Sequence, residues 1–421
     1  MMVNQYPSLL VSNLPERTDL FYGREKELQE IREVLDPSRP GRKSILLCGI
    51  GGSGKTQLSL RHIYQDGRRY SAIIWIDAST KERARLSFAE AADAISSSWP
   101  RELPPLYGSS DADNTVKVTA RLRSTRYNKW LLVIDSAEDI EQDEFLSYIP
   151  ACEHGSILVT STRYQACSRF KPGKPLAVDG LDPPSSMALL VARSERPEMN
   201  EDGTVPVNQL LIPILTIHAE HRAARDVVKE LSGIPLAVEQ AGALIRDGEF
   251  SFSDFLSTYK ADYRRLMENA PQDGFWSYEK NRVLLTILDM IYHRSVKKNP
   301  THASLLNFIG VLGSWQIPVS LLERFQFFDA SSPNPIQEDL ERLKDLLNAP
   351  NFLRMALRQL ARLCLITLRE EQGHIKSFIM HRVLCQWCLE NVIAASMQDY
   401  IIQATYGLAK DIFDPKVTSY V

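Results

Sequence analysis

Short runs of apolar residues alternate with longer mixed segments over the first 180 residues. The runs read SILLC at Ser44–Cys48, AIIWI at Ala72–Ile76, WLLVI at Trp130–Ile134 and SILVT at Ser156–Thr160, with a weaker fifth at Pro175–Val178. Runs of this kind are typical of strands buried on both faces of a parallel sheet. The segments between them are long enough for helical crossovers. The pattern therefore predicts a five-stranded parallel α/β sheet with flanking helices over 19–180.

A different pattern follows residue 180. Helical spacing of apolar residues predicts a helical subdomain over 181–275, with helices at Ser185–Arg193, Ala219–Leu231 and Ala237–Arg246. Later helices are predicted at Val283–Tyr292, Leu305–Leu312 and Phe352–Leu360, followed by short runs at Cys364–Leu368 and Lys376–Met380. Helices followed by a hairpin are typical of a winged helix, which we predict over 276–390. A C-terminal helical tail is expected at 391–421, and an N-terminal lead-in without a predicted element at 1–18.

Composition narrows the possible classes of protein. The 421 residues are 44% hydrophobic and 24% charged, which is typical of a globular protein. The net charge of −3 excludes a protein that works mainly as a basic nucleic-acid coat or through an acidic tail. Six scattered cysteines do not form the disulfide framework of a secreted protein. No apolar run approaches the roughly 18 residues of a membrane span, and the N-terminus lacks a signal-peptide pattern. We therefore expect a cytoplasmic protein with no membrane partner.

A phosphate-binding loop is the strongest motif in the chain. The sequence GIGGSGKT at Gly49–Thr56 matches G-x-x-x-x-G-K-[ST] between a predicted strand and an amphipathic helix, which argues against a chance glycine turn. Its glycines let backbone N–H groups point at phosphate oxygens, Lys55 reaches the β- and γ-phosphates, and the Thr56 hydroxyl is a Mg²⁺ ligand. The candidate nucleotide-binding residues here are Gly49, Gly51, Gly52, Ser53, Gly54, Lys55, Thr56 and Gln57.

An acidic residue ends the third clear apolar run. Asp135 follows Trp130–Ile134 and would hold Mg²⁺ at the carboxyl edge of the sheet, together with Thr56. Ser136 comes next instead of a second acid. Glu138 or Asp139 could orient the attacking water as a general base. The alternative is that both acids only charge the first turn of a helix, which the helix dipole favours.

An arginine follows the fourth run. Arg163 closes the sequence TSTR, and an arginine at such a strand tip can contact a γ-phosphate through bidentate bonds. A surface arginine would give the same pattern.

Several motifs taken in chain order resemble one family. They are FYGRE at Phe21–Glu25, the phosphate loop, WLLVIDSAED at Trp130–Asp139, SILVTSTR at Ser156–Arg163, LSGIPLA at Leu231–Ala237 and MHR at Met380–Arg382. Together they resemble the NB-ARC branch of the STAND class of P-loop NTPases, and most of all fungal NOD-like receptors. The resemblance covers roughly 19–390. Its motifs are much more specific in combination than any one of them is alone.

The resemblance implies a nucleotide-controlled signalling switch. It implies that Phe21, Gly23 and Arg24 pack against adenine and ribose, that Pro235 touches the adenine, and that His381 reaches the β-phosphate of ADP. Three subdomains would then meet at one diphosphate in a closed state, and exchange for ATP would open or oligomerise the protein. The implied roles are innate-immunity or programmed-cell-death-like signalling, and the implied enzyme activity is at most slow ATP hydrolysis.

The chain departs from the family pattern at three places. Ser136 replaces the second acid of many relatives, and TSTR is one residue longer than the usual motif before Arg163. Arg382 stands where the family carries Asp or Pro. Changes there loosen the ADP-bound state in relatives, so we expect weaker autoinhibition. Effector domains and repeat arrays are not seen in the sequence, which predicts unidentified effector or sensor partners, or a fragment of a longer receptor.

Three other interpretations compete with the switch. A fast ATPase enzyme or motor would use the same phosphate loop. An ATPase-coupled DNA-binding regulator would use the winged helix, whose segment holds a modest excess of arginines, although the net charge makes DNA an unfavoured partner. The pair Cys385 and Cys388, near Cys364 and His381, could hold zinc, but cysteines at this spacing in a helix more often face a core.

Overall fold

The computed structural model describes residues 10–12, 14–98, 112–124, 128–138, 140–163, 175–195, 214–247, 250–268, 279–313, 316–323 and 337–391. The chain divides into two compact units, Met1–Leu181 and Asp182–Val421. Two predicted features lie outside the described residues: the candidate base Asp139 and the predicted tail from residue 392 onward.

A parallel sheet forms the centre of the first unit. Its strands lie in the spatial order β1-β3-β4-β5-β2-β6, with every neighbouring pair parallel. The strands are β1 (Leu10–Ser12), β2 (Lys43–Cys48), β3 (Ala72–Asp77), β4 (Trp130–Asp135), β5 (Ser156–Ser161) and β6 (Leu176–Ala177). The five predicted strands are confirmed. The α/β P-loop fold class follows from this sheet and the loop after β2.

The sheet has a sixth strand that the sequence pattern did not predict. Leu10–Ser12 forms β1 and pairs with Ala72–Ile74 of β3, so the expectation of no element in 1–18 is wrong at this point. Three residues are too short to establish a periodicity. Only pairing with an existing strand edge defines them as a strand.

Helices cover both faces of the sheet. They are α1 (Glu25–Val34), α2 (Lys55–Asp66), α3 (Lys81–Ser98), α4 (Ala112–Leu122) and α5 (Gln142–Ser147), with a 3₁₀ turn at Gly67–Arg69. Consecutive strand residues enter opposite cores: Ile74 and Leu132 pack in one buried cluster, and Ile73 and Leu131 in the other. This alternation explains why the strands read as continuous apolar runs.

Strand order brings three motif-bearing strands together. β5 lies between β2 and β4, and its register pairs Cys48 with Ser161 and Ile134 with Val159. Because parallel strands end at the same edge, the phosphate loop, Asp135 and the tip of β5 share one side of the sheet.

The second unit is mainly helical. Its helices are α6 (Pro183–Ser194), α7 (Ile214–Glu230), α8 (Pro235–Arg246), α9 (Phe252–Glu268), α10 (Glu279–Ile291), α11 (Pro300–Leu312), α12 (Val319–Glu323), α13 (Gln337–Leu347), α14 (Pro350–Arg362) and α15 (Arg382–Asn391), with a π-helical turn at Tyr292–Val296. A small antiparallel sheet has the order β7-β9-β8, formed by β7 (Ile317–Pro318), β8 (Ile366–Glu371) and β9 (His374–Met380).

The predicted elements of this unit are present with extended bounds. Each of the six predicted helices overlaps an observed one, and the two short runs around Gly373 form the β8–β9 hairpin. Helices α9, α12 and α13 were not predicted. The division into a helical and a winged-helix subdomain stays a prediction. None of the helices in the described part of the chain has both the length and the apolarity to cross a membrane.

Candidate functional site

The phosphate loop connects β2 directly to α2, as predicted. Gly52 and Gly54 adopt left-handed conformations with φ of 76° and 90°, which glycine adopts without steric cost. Gly49 has no room for a side chain, because an added Cβ would lie 2.2 Å from the Val178 carbonyl oxygen. The buried Lys55 ammonium donates to the carbonyl oxygens of Gly49 and Ile50, at 2.8 Å each. The lysine therefore lies across the start of the loop.

A hydroxyl–carboxylate cluster lies beside the loop. The Thr56 hydroxyl donates to Asp135, with its oxygen 3.1 and 3.2 Å from the two carboxylate oxygens. Thr160, near the end of β5, donates to Asp135 Oδ1 at 2.6 Å. Its hydroxyl also accepts the Ser136 N–H at 2.8 Å. The structure therefore brings together Thr56 and Asp135, the two predicted Mg²⁺ ligands.

Burial dominates the electrostatics of this cluster. It raises the pKa of Asp135 to about 6, because the charged form loses water. The Thr160 hydrogen bond opposes the rise, whereas the charge of Asp77 on the adjacent strand adds to it. Asp77 pairs with Asp135 in the β3–β4 register and forms an ion pair with Arg83 at 3.0 Å. Two carboxylates therefore end neighbouring strands at this edge.

Thr160 and Asp77 were missed at the sequence level. Asp77 follows AIIWI just as Asp135 follows WLLVI, so the repeated pattern of an apolar run ending in Asp was the available signal. Thr160 lies within SILVT, and only strand pairing shows that its side chain meets Asp135.

The residues directly after Asp135 form a turn and not the first turn of a helix. Ser136 has a left-handed φ of 63°, and the Ala137 N–H donates to the Thr160 carbonyl at 2.9 Å. Glu138 is half-buried in this turn, while the next helix begins only at Gln142. Glu138 therefore does not charge the first turn of a helix, and that alternative is wrong for this residue. Its assignment as a base stays a prediction.

Arg163 is exposed just beyond β5. Its backbone N–H donates to the Ser161 hydroxyl at 3.1 Å. This position is compatible with both interpretations of the arginine, and its role as a γ-phosphate contact stays a prediction.

The FYGRE motif reaches the phosphate loop through its arginine. Gly23 and Arg24 have consecutive left-handed φ values of 66° and 72° just before α1. The buried Arg24 guanidinium donates to the Ser53 carbonyl at 3.0 Å and to the Asp179 carbonyl, and it pairs with Glu27 at 2.8 Å. Arg24 is thus placed against the loop backbone.

Phe21 and Gln57 are both involved in contacts at α2. The Arg61 guanidinium lies over the Phe21 ring at 5.3 Å from its centre. The Gln57 amide accepts the Thr18 N–H at 2.8 Å and donates to the Glu16 carbonyl at 3.2 Å, which ties the lead-in segment to α2. The predicted contacts of both residues with nucleotide stay predictions.

The other two predicted nucleotide contacts belong to the second unit. Pro235 is the first residue of α8, where the fixed φ of proline suits a helix start. His381 is exposed immediately before α15, and its Nδ1 accepts the Val383 N–H at 3.2 Å. Lys55 belongs to the first unit, so the meeting of Lys55, Pro235 and His381 at one diphosphate stays a prediction.

The cysteines considered as zinc ligands and the arginines considered for DNA binding all lie in the second unit. Cys385 and Cys388 are buried on α15, and burial raises the pKa of Cys364 to about 12, as in a core environment. Among the described residues no cluster of three His, Cys, Asp or Glu could hold a metal ion. Four arginines of the predicted winged helix form ion pairs: Arg354 with Glu323, Arg358 with Glu370, Arg362 with Asp247 and Arg369 with Glu371.

A family model and two relatives match parts of this chain. The AAA ATPase domain family model matches residues 20–149. A nucleotide-binding leucine-rich repeat (NLR)-like protein of Hyaloscypha variabilis is 24% identical over 334 residues, which is 73% of this chain and 31% of that protein. Apoptotic protease-activating factor 1 of Danio rerio is 24% identical over 283 residues, which is 63% of this chain and 20% of that protein. The chain thus spans less than a third of either relative.

A solved structure shares the fold. A signal transduction ATPase with numerous domains (STAND) that carries a tetratricopeptide repeat sensor, from Pyrococcus horikoshii, superposes with a TM-score of 0.51 at 15% identity. The superposition covers 96% of this chain and 47% of that one. The predicted resemblance to NB-ARC and STAND NTPases is confirmed. For the structural relative, the likeness extends to the fold alone.

Proposed function

We propose that this chain is an adenine-nucleotide-operated signalling switch. It is closed with ADP and opens or oligomerises when ATP replaces ADP. The observation that carries the proposal is the cluster at the start of α2, where Lys55 crosses the phosphate loop and Thr56 bonds to Asp135. The names of the two sequence relatives, a nucleotide-binding NLR-like protein and an apoptotic protease-activating factor, support a nucleotide-driven signalling switch as the general class. Innate-immunity or cell-death-like signalling is the specific role that we propose.

The loop residues suit a diphosphate. The first turn of α2 presents backbone N–H groups and the positive end of the helix dipole, both of which favour phosphate. Ser53 is completely buried in the loop, and its hydroxyl has no hydrogen-bond partner among the described residues. A buried polar group without a partner is costly, and a phosphate oxygen would satisfy it. Lys55 would supply the main positive charge.

The same edge of the sheet suits Mg²⁺. Hard oxygen donors are available from Thr56 and Asp135, and the raised pKa of Asp135 reflects burial together with the nearby charge of Asp77. A divalent cation would offset both effects and keep Asp135 ionised. When bound, Mg²⁺ would neutralise charge on the phosphate oxygens. Glu138 is the residue that we propose to orient the attacking water, with Asp139 as the alternative.

The switch itself requires unequal binding of a nucleotide to two states of the protein. A ligand changes a conformational equilibrium only if it binds one state more tightly. Pro235 and His381 are the residues that we propose to supply this difference, because they lie on segments outside the phosphate-loop unit. The exposed position of His381 leaves its ring accessible to a ligand. Phe21, Gly23 and Arg24 would lie near the adenine and ribose.

Nucleotide content tests the proposal most directly. The purified chain is denatured and the released nucleotide is identified by chromatography. In a separate native sample, the mass of the protein is measured by light scattering with ADP and with ATP. We expect bound ADP and a larger assembly with ATP. An absence of bound nucleotide, together with no binding at millimolar concentration, would contradict the switch.

Steady-state hydrolysis separates the switch from the ATPase alternative. A fast ATPase would turn over near the common enzyme rate of about 10 per second, whereas a switch would be far slower. For the DNA alternative, a salt-dependent gel shift with duplex DNA is the corresponding measurement.

A further inference from the structure

Arg24 connects two parts of the first unit that are distant in sequence. Its buried guanidinium donates to the carbonyl oxygen of Ser53, in the phosphate loop, and to that of Asp179, just after β6. Asp179 lies two residues before Leu181, the last residue of the first unit. One side chain therefore holds both the phosphate loop and the segment 178–181, which we call the exit segment.

The exit segment is also held by the other end of the phosphate loop. The Val178 N–H donates to the Cys48 carbonyl at 2.7 Å, and the Val178 carbonyl oxygen approaches Gly49 so closely that an added Cβ would lie 2.2 Å away. Residues 178 and 179 are thus fixed by the start of the loop directly and by its end through Arg24. A shift at either end of the loop must be accommodated at the same two residues.

The chemistry of these bonds suits an arginine. A guanidinium offers five N–H donors in a rigid plane, which allows simultaneous bonds to two carbonyls and to Glu27. A lysine carries its three N–H donors on one nitrogen at the end of a flexible stem, without the planar fork of a guanidinium. Arg24 also has a left-handed φ of 72°, which is uncommon for a residue with a Cβ.

The bond to Ser53 also orients the loop. The C=O and N–H of one planar trans peptide point in opposite directions. Holding the Ser53 carbonyl on Arg24 therefore points the Gly54 N–H away from Arg24. Backbone N–H groups of this loop are the donors that we propose for phosphate, so a ligand on them would act on the peptide that Arg24 holds.

We propose that Arg24 is a positioning residue that couples the phosphate loop to the exit segment. The proposal rests on the nucleotide switch proposed above and names the route by which the loop reaches the point where the chain leaves the first unit. It assigns Arg24 a role beyond a contact with adenine or ribose. Loss of the guanidinium should leave the loop able to respond to ADP and remove the response of the exit segment.

Hydrogen exchange with mass spectrometry tests this coupling in the full chain. Exchange is compared with and without ADP and Mg²⁺ in two peptides, one covering 49–58 and one covering 176–181. In the unsubstituted protein, we expect ADP to slow exchange by at least about threefold in both peptides. Arg24→Gln should bind ADP more weakly, because Arg24 is also proposed to lie near the adenine and ribose. At an ADP concentration that saturates this variant, exchange in the 49–58 peptide should still slow, while the 176–181 peptide should show equal rates with and without ADP.

Two variants act as controls. Glu27→Gln removes the ion pair but keeps the guanidinium and its two carbonyl bonds, so it should behave like the unsubstituted protein. Arg24→Lys keeps the charge without the fork, and its exit-segment response should be reduced. A purely structural role of Arg24 would speed exchange in 176–181 equally with and without ADP and would preserve the ADP-dependent ratio.

The outcomes separate the two proposals. If 49–58 responds to ADP and 176–181 responds equally in the unsubstituted protein and in Arg24→Gln, the coupling is wrong and the switch stands. The coupling is also wrong, and the switch unaffected, if 176–181 never responds while 49–58 does. If 49–58 shows no response to ADP in the unsubstituted protein, nucleotide binding itself is contradicted, and the coupling with it.

Discussion

The two ends of α2 each bury an aspartate in a polar cluster, but the clusters are built differently. At the N-terminal end, Asp135 meets the hydroxyls of Thr56 and Thr160, and burial raises its pKa to about 6. At the C-terminal end, burial also acts to raise the pKa of Asp66, but the neighbouring His62 and Arg32 side chains outweigh it and lower the pKa.

The C-terminal cluster supplies Asp66 with a cationic partner from within the protein. Arg32 Nε lies 3.0 Å from both oxygens of Asp66, and His62 Nδ1 lies 3.5 Å from one of them. The other ring nitrogen of His62 contacts the Tyr70 hydroxyl at 3.0 Å, and this hydroxyl donates to the Leu35 carbonyl at 3.2 Å. These bonds connect α2 to α1 and to the start of β3.

The difference separates a structural polar cluster from a ligand site. A buried carboxylate that is paired with its own cations stabilises the folded protein. A buried carboxylate with hydroxyl partners and a second carboxylate nearby is costly when ionised, and an added cation relieves that cost. Such a group is a candidate for function because stability alone does not account for it.

The largest expected effect concerns nucleotide affinity at the N-terminal end. Lys55→Ala should weaken ADP binding by at least about 100-fold, because it removes the buried cation from the proposed phosphate site. Titration with a fluorescent ADP analogue measures this. Lys81→Ala is the matched control, since Lys81 is half exposed and pairs with Glu144 on α5. Equal affinities of the two variants would remove the assigned role of Lys55.

Asp135→Asn should make the nucleotide-free protein more stable at pH 8, by about 1–3 kcal/mol. The folded-state pKa of about 6 lies above the value of an unfolded aspartate. The folded state therefore binds more protons, and its stability falls as pH rises from about 4 to about 6. Urea unfolding between pH 4.5 and 8 should show this fall reduced in the variant.

The same variant should lose the Mg²⁺-dependent part of its ADP affinity. This second measurement links the stability change to the proposed metal site. A variant that is less stable than the unsubstituted protein at pH 8 and keeps its Mg²⁺ dependence would show that Asp135 is a structural residue like Asp66.

Asp66→Asn should act in the opposite direction, with a loss of about 1–3 kcal/mol at pH 7, because it weakens the charged hydrogen bonds from Arg32. The lowered pKa of Asp66 means that this stabilisation is present above the unfolded-state pKa and is lost as pH falls through the folded-state value. The difference between the two proteins in urea unfolding should therefore shrink on acidification. The exposed carboxylate of Asp93 on α3 provides a control, and Asp93→Asn should change stability little.

The smallest expected effects concern two hydroxyls. Tyr70→Phe should cost about 1 kcal/mol, because His62 and the Leu35 carbonyl lose a shared partner. Ser53→Ala should not destabilise the nucleotide-free protein and should stabilise it by up to about 1 kcal/mol, because it removes a buried hydroxyl to which no described residue bonds. Thermal unfolding measures both. A larger loss in Ser53→Ala than in Tyr70→Phe would reverse the assignment of the two clusters.

Local patterns predicted much of the first unit. Five strands, the start of α2 at Lys55 and the position of Asp135 at a strand end follow from apolar runs and one glycine-rich motif. These features depend on residues close together in sequence, so they can be recognised from the sequence alone. The strand Leu10–Ser12 escaped prediction because its definition comes from β3.

What the sequence determined by itself was therefore the type and order of most elements and the presence of a phosphate loop at the edge of a parallel sheet. The tertiary structure alone decided which side chains meet there: Thr160 on Asp135, Asp77 beside it, and Arg24 between Ser53 and Asp179. The physical reason is distance along the chain. Contacts between residues 25 to 155 positions apart depend on strand order and register, and no local periodicity encodes those.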